Sequence, residues 1–481
     1  MTTDEQVRLE RDPLGERAVP RDALWGAHTS RALENFAISG TAVGTHRDLT
    51  YALGAVKLAA ARANTDLGVL DERRAAAIAV ACEEVMLGHH DEQFVVDVVQ
   101  GGAGTSTNMN ANEVIANRAL QVLGLAPGTY AEVHPNDHVN ASQSTNDVYP
   151  TAIKVALLVA LRRLASAVSE LSGSFAAKGQ EFRGVPKVGR TQLQDAVPMT
   201  VGQEFAAWAA TLVEEQARLR DARNLLSEIN LGATAIGTGI TADPAYASCV
   251  LAHLRRITDL PLQTAGDLVE ATADTGVFVQ LSGVLKRTAV KVSKICNDLR
   301  LLSSGPQAGL GELRLPPRQA GSSIMPGKVN PVVPEMVNQV AFSVIGNDLT
   351  ITMAAEAGQL QLNAFEPIMA HGLLQSIDWM ARAFTGLAHL CVDGIEVDRD
   401  HLEELTSRSV GVVTALIPYV GYATASSIAK AALAGEGDVR SLLLRDAGVD
   451  EALLDRLLDP ETLAGLPRPP VVAPAAAQRT D

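Results

Sequence analysis

The segment 321–331, which reads GSSIMPGKVNP, places hydroxyl, ammonium and amide groups close together in the chain. Ser322 and Ser323 are adjacent, and Lys328 and Asn330 follow within eight positions of Ser322. A lysine near a serine can activate the hydroxyl as a nucleophile, which is typical of some hydrolases. However, the segment contains neither SxxK nor GxSxG, and neither histidine nor aspartate stands beside the serines. The segment alone is therefore weak evidence for a hydrolase.

A second polar segment, residues 101–113 (GGAGTSTNMNANE), carries Thr105 among other neutral hydrogen-bond donors. Its glycines match neither GxGxxG nor GxxxxGK[ST], which excludes the common nucleotide-binding loops. Hydroxyl and amide groups, together with backbone N–H groups exposed by glycine, can hold a carboxylate. A turn with helix caps explains the same residues, so this segment alone leaves both interpretations open.

Residues 134–147 (HPNDHVNASQSTND) end in hydroxyl and amide donors just before a long helix that is predicted to begin near Pro150. These donors are Ser144, Thr145 and Asn146. A helix N-terminus carries a partial positive charge, which favours a bound anion. His134 and His138 have the spacing of a metal-binding pair, but the proline between them breaks the helix that this spacing requires. A polar turn is favoured, and no metal site is predicted.

Residues 187–198 (KVGRTQLQDAVP) are predicted to form a polar loop ahead of another helix. Thr191 and Gln192 are its candidates for contact with a substrate. In the alternative interpretation, Asp195 caps the following helix and Arg190 forms a salt bridge, so that the loop has a structural role.

Long helices must position these segments. Proline is absent from five long stretches: 151–185, 199–243, 262–305, 335–366 and 368–417. In the first, Ile153, Leu157 and Leu161 recur at helical spacing, and a similar rhythm predicts a helix over 267–303. Alternating patterns typical of strands occur only in short pieces, mainly near the N-terminus. Because the composition is 47% hydrophobic but only 4% aromatic, close-packed helices are favoured, and the sequence predicts an all-α fold with a long-helix bundle.

The net charge of −15 over 481 residues argues against nucleic acid or an anionic membrane as the main partner. An anionic substrate would therefore need local cations to hold it. The four cysteines lie far apart with no CxxC spacing, so neither a disulfide framework nor a structural zinc site is predicted. The polar N-terminus does not resemble a signal peptide, and the apolar run 155–161 is too short to span a membrane. A cytoplasmic location is expected.

The segment 321–331 resembles the signature of the aspartase/fumarase superfamily. The resemblance also covers five other segments: GGAGTSTNMN, NDHVNASQSTND, GRTQLQDAVP, NLGATAIGTG (230–239) and AAEAGQLQLN (354–363). It extends from about residue 8 to about residue 465. It implies a three-part all-α chain whose central bundle forms a 20-helix core in a homotetramer, with active sites shared between three subunits. The expected parts are an N-terminal domain (1–144), the central bundle (145–398), a small C-terminal helical domain (399–466) and a disordered tail (467–481).

The resemblance also implies a role for each matching residue. Ser322 would be the general base that removes a proton from Cβ of a small dicarboxylate. No cofactor is expected, and no metal site is predicted, because the sequence shows no cluster of metal ligands. The residues that would bind the α-carboxylate are Lys328, Asn330 and Thr191. Those around the β-carboxylate would be Thr105, Ser144, Thr145 and Ser323, and Asn146 with Thr105 would contact the leaving group. Such donors suit the reaction, because proton removal beside a carboxylate creates a doubly charged aci-carboxylate.

Residue 192 separates two reactions within this superfamily. Fumarases of this pattern read THxQDA, with a histidine that handles water, whereas this chain has Gln192, whose amide does not titrate. Fumarases also tend to carry lysine where Glu366 stands. The sequence therefore predicts elimination of ammonia from L-aspartate. A class II fumarase remains an alternative. A catalytically silent structural homologue is a third interpretation, but a structural role alone gives no reason for the polar residues named above.

Overall fold

The computed structural model describes residues 7–463, which are mostly α-helical, as predicted. The helices within this range are α1 Ala27–Asn35, α2 Arg47–Asp66, α3 Glu72–Leu87, α4 Thr105–Val122, α5 Thr145–Glu181, α6 Val201–Leu226, α7 Thr234–Gly237, α8 Tyr246–Thr258, α9 Leu268–Ala273, α10 Gly276–Leu302, α11 Val332–Glu356, α12 Glu366–Leu390, α13 Arg399–Arg408, α14 Val412–Val420, α15 Tyr422–Leu433, α16 Val439–Asp446, α17 Glu451–Leu458 and α18 Pro460–Leu463. Among them, none is both long enough and apolar enough to cross a membrane.

Between residues 7 and 463, four two-stranded sheets accompany the helices. Their strands are β1 Val7–Asp12 with β2 Gly15–Pro20, β3 Pro186–Thr191 with β4 Gln194–Thr200, β5 Glu228–Ile229 with β6 Gln263–Thr264, and β7 Leu313–Arg314 with β8 Glu396–Val397. Only β5 and β6 are parallel. The prediction of a polar loop over 187–198 was wrong, because this stretch forms most of the β3–β4 hairpin.

The described chain divides into two compact units. Unit 1 comprises 7–166, Gln216–Val290 and Gln339–Arg382, and unit 2 comprises Ala167–Glu215, Lys291–Asn338 and 383–463. The three-part division at residues 144 and 398 stays a prediction. The tail predicted to be disordered, 467–481, lies outside the described residues.

Small side chains let the helices of unit 1 pack closely. Nearly all of α2 from Leu49 to Asn64 is buried, with alanine at many positions. Gly54 lies close to α3, since a Cβ atom there would lie 2.9 Å from Met86 Cγ and 3.0 Å from the carbonyl oxygen of Cys82. Alanine-rich helices of this kind fill a core without aromatic side chains, which explains how so few aromatics suffice.

Unit 2 contains two apolar clusters. Phe175 and Phe182 pack edge-on against neighbours on α6, where Phe205 and Trp208 have ring centroids 4.8 Å apart. A second cluster holds the C-terminal helices together and consists of Val413, Leu416, Ala425, Ile428, Val439, Leu442, Leu443 and Leu454.

The helix predicted over 267–303 is interrupted. Asp267 accepts hydrogen bonds from the N–H groups of Val269 and Glu270 and so caps α9. The backbone at Asp274 is extended, and its carboxylate accepts from the N–H of Gly276 at 2.8 Å, where α10 begins. Apolar periodicity continues through the break, but an aspartate that can cap a new helix ends the first one.

Candidate active site

The hydroxyl oxygen of Ser322 accepts hydrogen bonds from two backbone N–H groups. These belong to Ile324, at 3.2 Å, and Met325, at 3.1 Å. Ser322 is half-buried, whereas residues 323–329, which include Ser323, are exposed. Because both N–H dipoles point at the oxygen, negative charge on this atom would be stabilised.

The segment 321–331 is closed on itself by further hydrogen bonds. The N–H of Gly321 donates to the carbonyl oxygen of Lys328 at 2.9 Å, and Asn330 Nδ2 donates to the carbonyl oxygen of Gly321 at 3.0 Å. A Cβ atom at position 321 would lie 2.2 Å from the Lys328 carbonyl oxygen, so only glycine fits. Lys328 and Asn330 also line a cleft of about 810 Å³, together with Arg300, Arg314 and His401. Lys328 and Arg300 bring positive charge to this cleft, whereas the charge of Arg314 is paired with that of Asp398.

The two candidates of the β3–β4 hairpin lie at its exposed tip. Thr191 ends β3, and Gln192 and Leu193 form a two-residue loop with φ of +55° and +63°. Positive φ at both positions is characteristic of a type I′ turn, which matches the twist of a hairpin. The helix cap expected at Asp195 in the alternative interpretation was wrong, because Asp195 is paired with Arg190 within the hairpin ladder. The salt bridge expected for Arg190 is present, and its partner is Glu312.

Buried ion pairs anchor this hairpin within unit 2. Lys187 Nζ lies 2.6 Å from Glu204 and 3.0 Å from Glu312, and Arg190 pairs with the same Glu312. The Glu312 carboxylate is almost completely buried, so its two cationic partners are needed to compensate its charge.

In unit 1, the predicted donors Ser144, Thr145 and Asn146 surround the start of α5. This helix begins five residues before Pro150 instead of near it, so the proline lies inside the helix. A proline lacks the N–H that would bond to the carbonyl four residues earlier, that of Asn146. Asn230 Nδ2 supplies the missing donor at 3.0 Å and is completely buried.

The start of α5 is also bound to the segment 230–239. The buried carboxylate of Asp147 accepts from the N–H groups of Ser144 at 3.0 Å and Gly232 at 2.9 Å. Asn146 Nδ2 donates to the carbonyl oxygen of Ala235 at 2.6 Å. Ala235 itself has φ +50°, a strained value for alanine of the kind often found at functional sites.

Thr105 begins α4, and a turn built around glycine precedes it. Gly104 has φ +83°, and a Cβ atom there would lie 2.2 Å from the ring of Tyr149. One turn further along α4, Asn108 Nδ2 donates to Thr145 Oγ1 at 3.0 Å. This bond joins the starts of α4 and α5, so the structure brings the four predicted residues of unit 1 into one region.

A lysine that the sequence analysis missed adjoins these donors. Lys57 Nζ, on α2, donates to Asn140 Oδ1 and Gln143 Oε1, both at 2.9 Å. Burial lowers the pKa of Lys57 to about 7, against the opposing effect of the Asp147 charge. Burial likewise raises the pKa of Asp147 to about 6, although its hydrogen bonds lower it. The sequence does contain a sign of this residue, because Lys57 is the single charged residue in the apolar stretch YALGAVKLAAA.

The two histidines at 134 and 138 have structural roles. His134 Nδ1 accepts from the N–H groups of Asn136 and Asp137, and His138 Nδ1 accepts from the N–H of His134 at 2.8 Å. The turn is thus built on these ring nitrogens, which is in keeping with the polar turn favoured by the sequence.

Comparison with known proteins identifies the family. A family model described as lyase matches residues 15–346, and one described as fumarase C C-terminus matches residues 412–465. The chain therefore belongs to the aspartase/fumarase superfamily of lyases, and the resemblance seen in the sequence is confirmed.

Individual relatives match over nearly the whole chain. The aspartate ammonia-lyase of Pseudomonas aeruginosa is 56% identical over 95% of this chain and 96% of its own length. A Brucella melitensis structure described as fumarate lyase:delta crystallin bound to cobalt has a TM-score of 0.92 and 56% identity, covering 95% of this chain and 99% of its own. The class II fumarase of Schistosoma mansoni has a TM-score of 0.89 but only 34% identity, covering 95% and 99%.

Proposed function

We propose that the protein is an aspartate ammonia-lyase, which converts L-aspartate reversibly to fumarate and ammonia. The observation that carries this proposal is the pair of N–H groups, from Ile324 and Met325, directed at the hydroxyl oxygen of Ser322. A serine hydroxyl is a poor base unless its alkoxide is stabilised, and two fixed N–H dipoles stabilise that alkoxide. Ser322 would then take the proton from Cβ of the substrate.

The donors at the helix starts support the next step. Loss of the Cβ proton places a second negative charge on the β-carboxylate, giving the aci-carboxylate. Thr105 and Thr145 stand at the first positions of α4 and α5, where the helix dipoles favour an anion. With Ser144 and Ser323, they would hold this carboxylate while the charge develops.

The amide of Asn146 is suited to the amino group. Its Nδ2 donates to the carbonyl oxygen of Ala235, so its Oδ1 is left to accept a hydrogen bond from the substrate ammonium. When the electron pair on the aci-carboxylate returns to form the double bond, the C–N bond breaks and ammonia leaves. Lys328, Asn330 and Thr191 would bind the α-carboxylate, and one N–H of the Asn330 amide remains for it beside the bond to Gly321.

Elimination of ammonia is favoured over elimination of water. The amide of Gln192 does not titrate near neutral pH, so it cannot act as an acid or base that activates water for addition to fumarate. Sequence identity to the relatives also favours elimination of ammonia, because it is 56% to an aspartate ammonia-lyase and 34% to a fumarase.

We further propose a homotetramer in the cytoplasm, with active sites shared between three subunits. An exposed apolar stripe on α11 supports association: Phe342, Leu349 and Met353 are 63%, 62% and 64% exposed. These residues recur at helical spacing on one face, and contiguous exposed apolar surface of this kind marks an interface. The four cysteines are unpaired, in keeping with a reducing compartment. Light scattering should give four chains per particle, and Phe342→Glu should reduce that number.

The central test follows fumarate from purified protein supplied with L-aspartate or, separately, L-malate. We expect fumarate from aspartate only; fumarate from malate alone would contradict the proposal. Ser322→Ala should lower kcat by about 10³-fold while the circular dichroism spectrum is unchanged.

A matched pair of variants tests the stabilised alkoxide. Ile324→Pro removes one N–H donor to Ser322, whereas Ile324→Ala keeps it, and the side chain at this position is 83% exposed. We expect a large fall in kcat for the proline variant and a small change for the alanine variant. Equal effects would show that the N–H group has no part in catalysis.

A further inference from the structure

Three side chains of unit 1 form a cluster that the proposed reaction does not use. Asp66 is the last residue of α2, and Cys249 and His253 lie one turn apart on α8. Asp66 Oδ2 lies 2.7 Å from His253 Nε2 and 3.7 Å from Cys249 Sγ. Within residues 7–463, this is the one group of three or more His, Cys, Asp or Glu side chains whose ligand atoms all lie within 4.8 Å of one another.

We propose that this cluster binds a divalent transition-metal ion of the zinc type. Thiolate, imidazole and carboxylate are the ligands that Zn²⁺ takes in proteins, and spacing of four residues on a helix directs two of them to the same face. Bonds of about 2.0–2.3 Å in a tetrahedral ion separate neighbouring ligand atoms by about 3.3–3.6 Å. The separations from Asp66 therefore need to change by less than about 1 Å. Three protein ligands leave the fourth position for water.

The neighbouring Arg256 gives the proposal a distinctive consequence. Its guanidinium donates to His253 Nδ1 at 3.1 Å, so in the metal-free protein the ring proton lies on Nε2, facing Asp66. A metal ion on Nε2 requires this proton to move to Nδ1, where the arginine would then oppose it. Arg256 is exposed and can rotate away, but its charge and its hydrogen bond both disfavour the bound state. Removal of Arg256 should therefore tighten metal binding.

The site would join the end of α2 to α8. An ion that binds only the folded arrangement stabilises it by an amount that grows with the logarithm of its concentration over its dissociation constant. Asp66 lies 183 positions from Cys249 in the chain, which is why the sequence predicted no metal site. This stabilisation does not depend on which substrate the enzyme uses.

Cobalt(II) is a suitable probe, because a cobalt–thiolate bond gives a charge-transfer absorption band in the near ultraviolet. The other cysteines, Cys82, Cys296 and Cys391, are buried, so the band reports on Cys249. Titration of the full-length protein should give a band that saturates at one ion per chain. Cys249→Ser should abolish the band, and Asp66→Asn should weaken binding at least tenfold. Arg256→Ala should tighten it.

Zinc supplies a second readout that does not depend on the absorption band. Excess Zn²⁺ should raise the thermal midpoint of the unmodified protein above that in chelator, and His253→Ala should remove the increase. Circular dichroism checks that each variant is folded. Three results would overturn the proposal: no band with cobalt, a band that persists in Cys249→Ser, or weaker binding in Arg256→Ala.

Discussion

Replacement of Asn230 by alanine should destabilise the start of α5 by an amount that depends on Pro150. Asn230 is completely buried and donates to the Asn146 carbonyl, for which the proline provides no helical N–H. A buried carbonyl without a donor costs about 1–3 kcal/mol. The small cavity left by the truncated side chain adds about 1 kcal/mol. We therefore expect a local opening free energy lower by about 2–4 kcal/mol.

Pro150→Ala is the matched background for this measurement, because it restores an N–H that can bond to the Asn146 carbonyl. In that background, Asn230→Ala should cost about 1–2 kcal/mol less. The cavity and the lost bond between Asn230 and Thr272 Oγ1 are common to both backgrounds, so they cancel in the comparison. The difference between the two costs of Asn230→Ala therefore gives the free energy of leaving the Asn146 carbonyl without a donor.

Hydrogen exchange followed by mass spectrometry on peptides spanning residues 145–158 measures the opening free energy directly. This assay suits a long chain, for which a single global unfolding free energy is poorly defined. Equal costs of Asn230→Ala in both backgrounds would refute the assignment of its amide to the orphaned carbonyl. KM for L-aspartate should rise in Asn230→Ala, because the carbonyl belongs to a residue proposed to bind the amino group.

Three other variants test separate features. Gly104→Ala should lower the thermal midpoint and raise KM, because its Cβ would lie 2.2 Å from an aromatic ring. The control is Gly124→Ala, since Gly124 also has positive φ but has open space around it. This control should lower the free energy of unfolding by only about 1 kcal/mol. Burial raises the pKa of Glu366 to about 8, so the folded protein keeps a proton that the unfolded chain releases above about pH 4.5. The free energy of unfolding therefore falls as the pH rises between these values. In Glu366→Gln the thermal midpoint should fall less steeply with pH over this range, and an unchanged dependence would show that Glu366 is not its origin. Leu193→Gly should slow hydrogen exchange in the hairpin by relieving about 1 kcal/mol of left-handed strain, whereas faster exchange would argue against it.

Helical periodicity predicted the all-α fold well because one face of each long helix must be apolar. It could not find the break at Asp274, since capping is a local hydrogen-bond effect superimposed on a continuing apolar pattern. The hairpin over 186–200 was missed for a different reason. Its turn residues, Gln192 and Leu193, are not the asparagine and glycine that normally announce a two-residue hairpin, so the segment read as a loop.

The candidate site was predicted from motifs, but its supporting residues were not. Ser144 and Thr145 could be chosen because hydroxyl groups ahead of a helix are a recognisable pattern. The roles of Asn230 and Lys57 depend on contacts across about 80 positions of sequence, between segments whose packing cannot be inferred from a local sequence pattern. Residue types alone also gave no sign of the two N–H groups that face Ser322. Every residue except proline has a backbone N–H, so its direction depends on the backbone conformation and not on the residue type.

The hydrogen bonds that close segment 321–331 make the basicity of Ser322 independent of where the segment lies relative to the rest of the site. The groups that would make Ser322 basic lie within three residues of it, and the ends of the segment are tied together at Gly321, Lys328 and Asn330. If the segment shifts, these groups shift with it, and the strength of the base is unchanged. Substrate preference could then be redesigned through residues elsewhere, such as Asn146, without rebuilding the proton acceptor. Lyases for differently substituted amino acids could be derived from this chain on that basis.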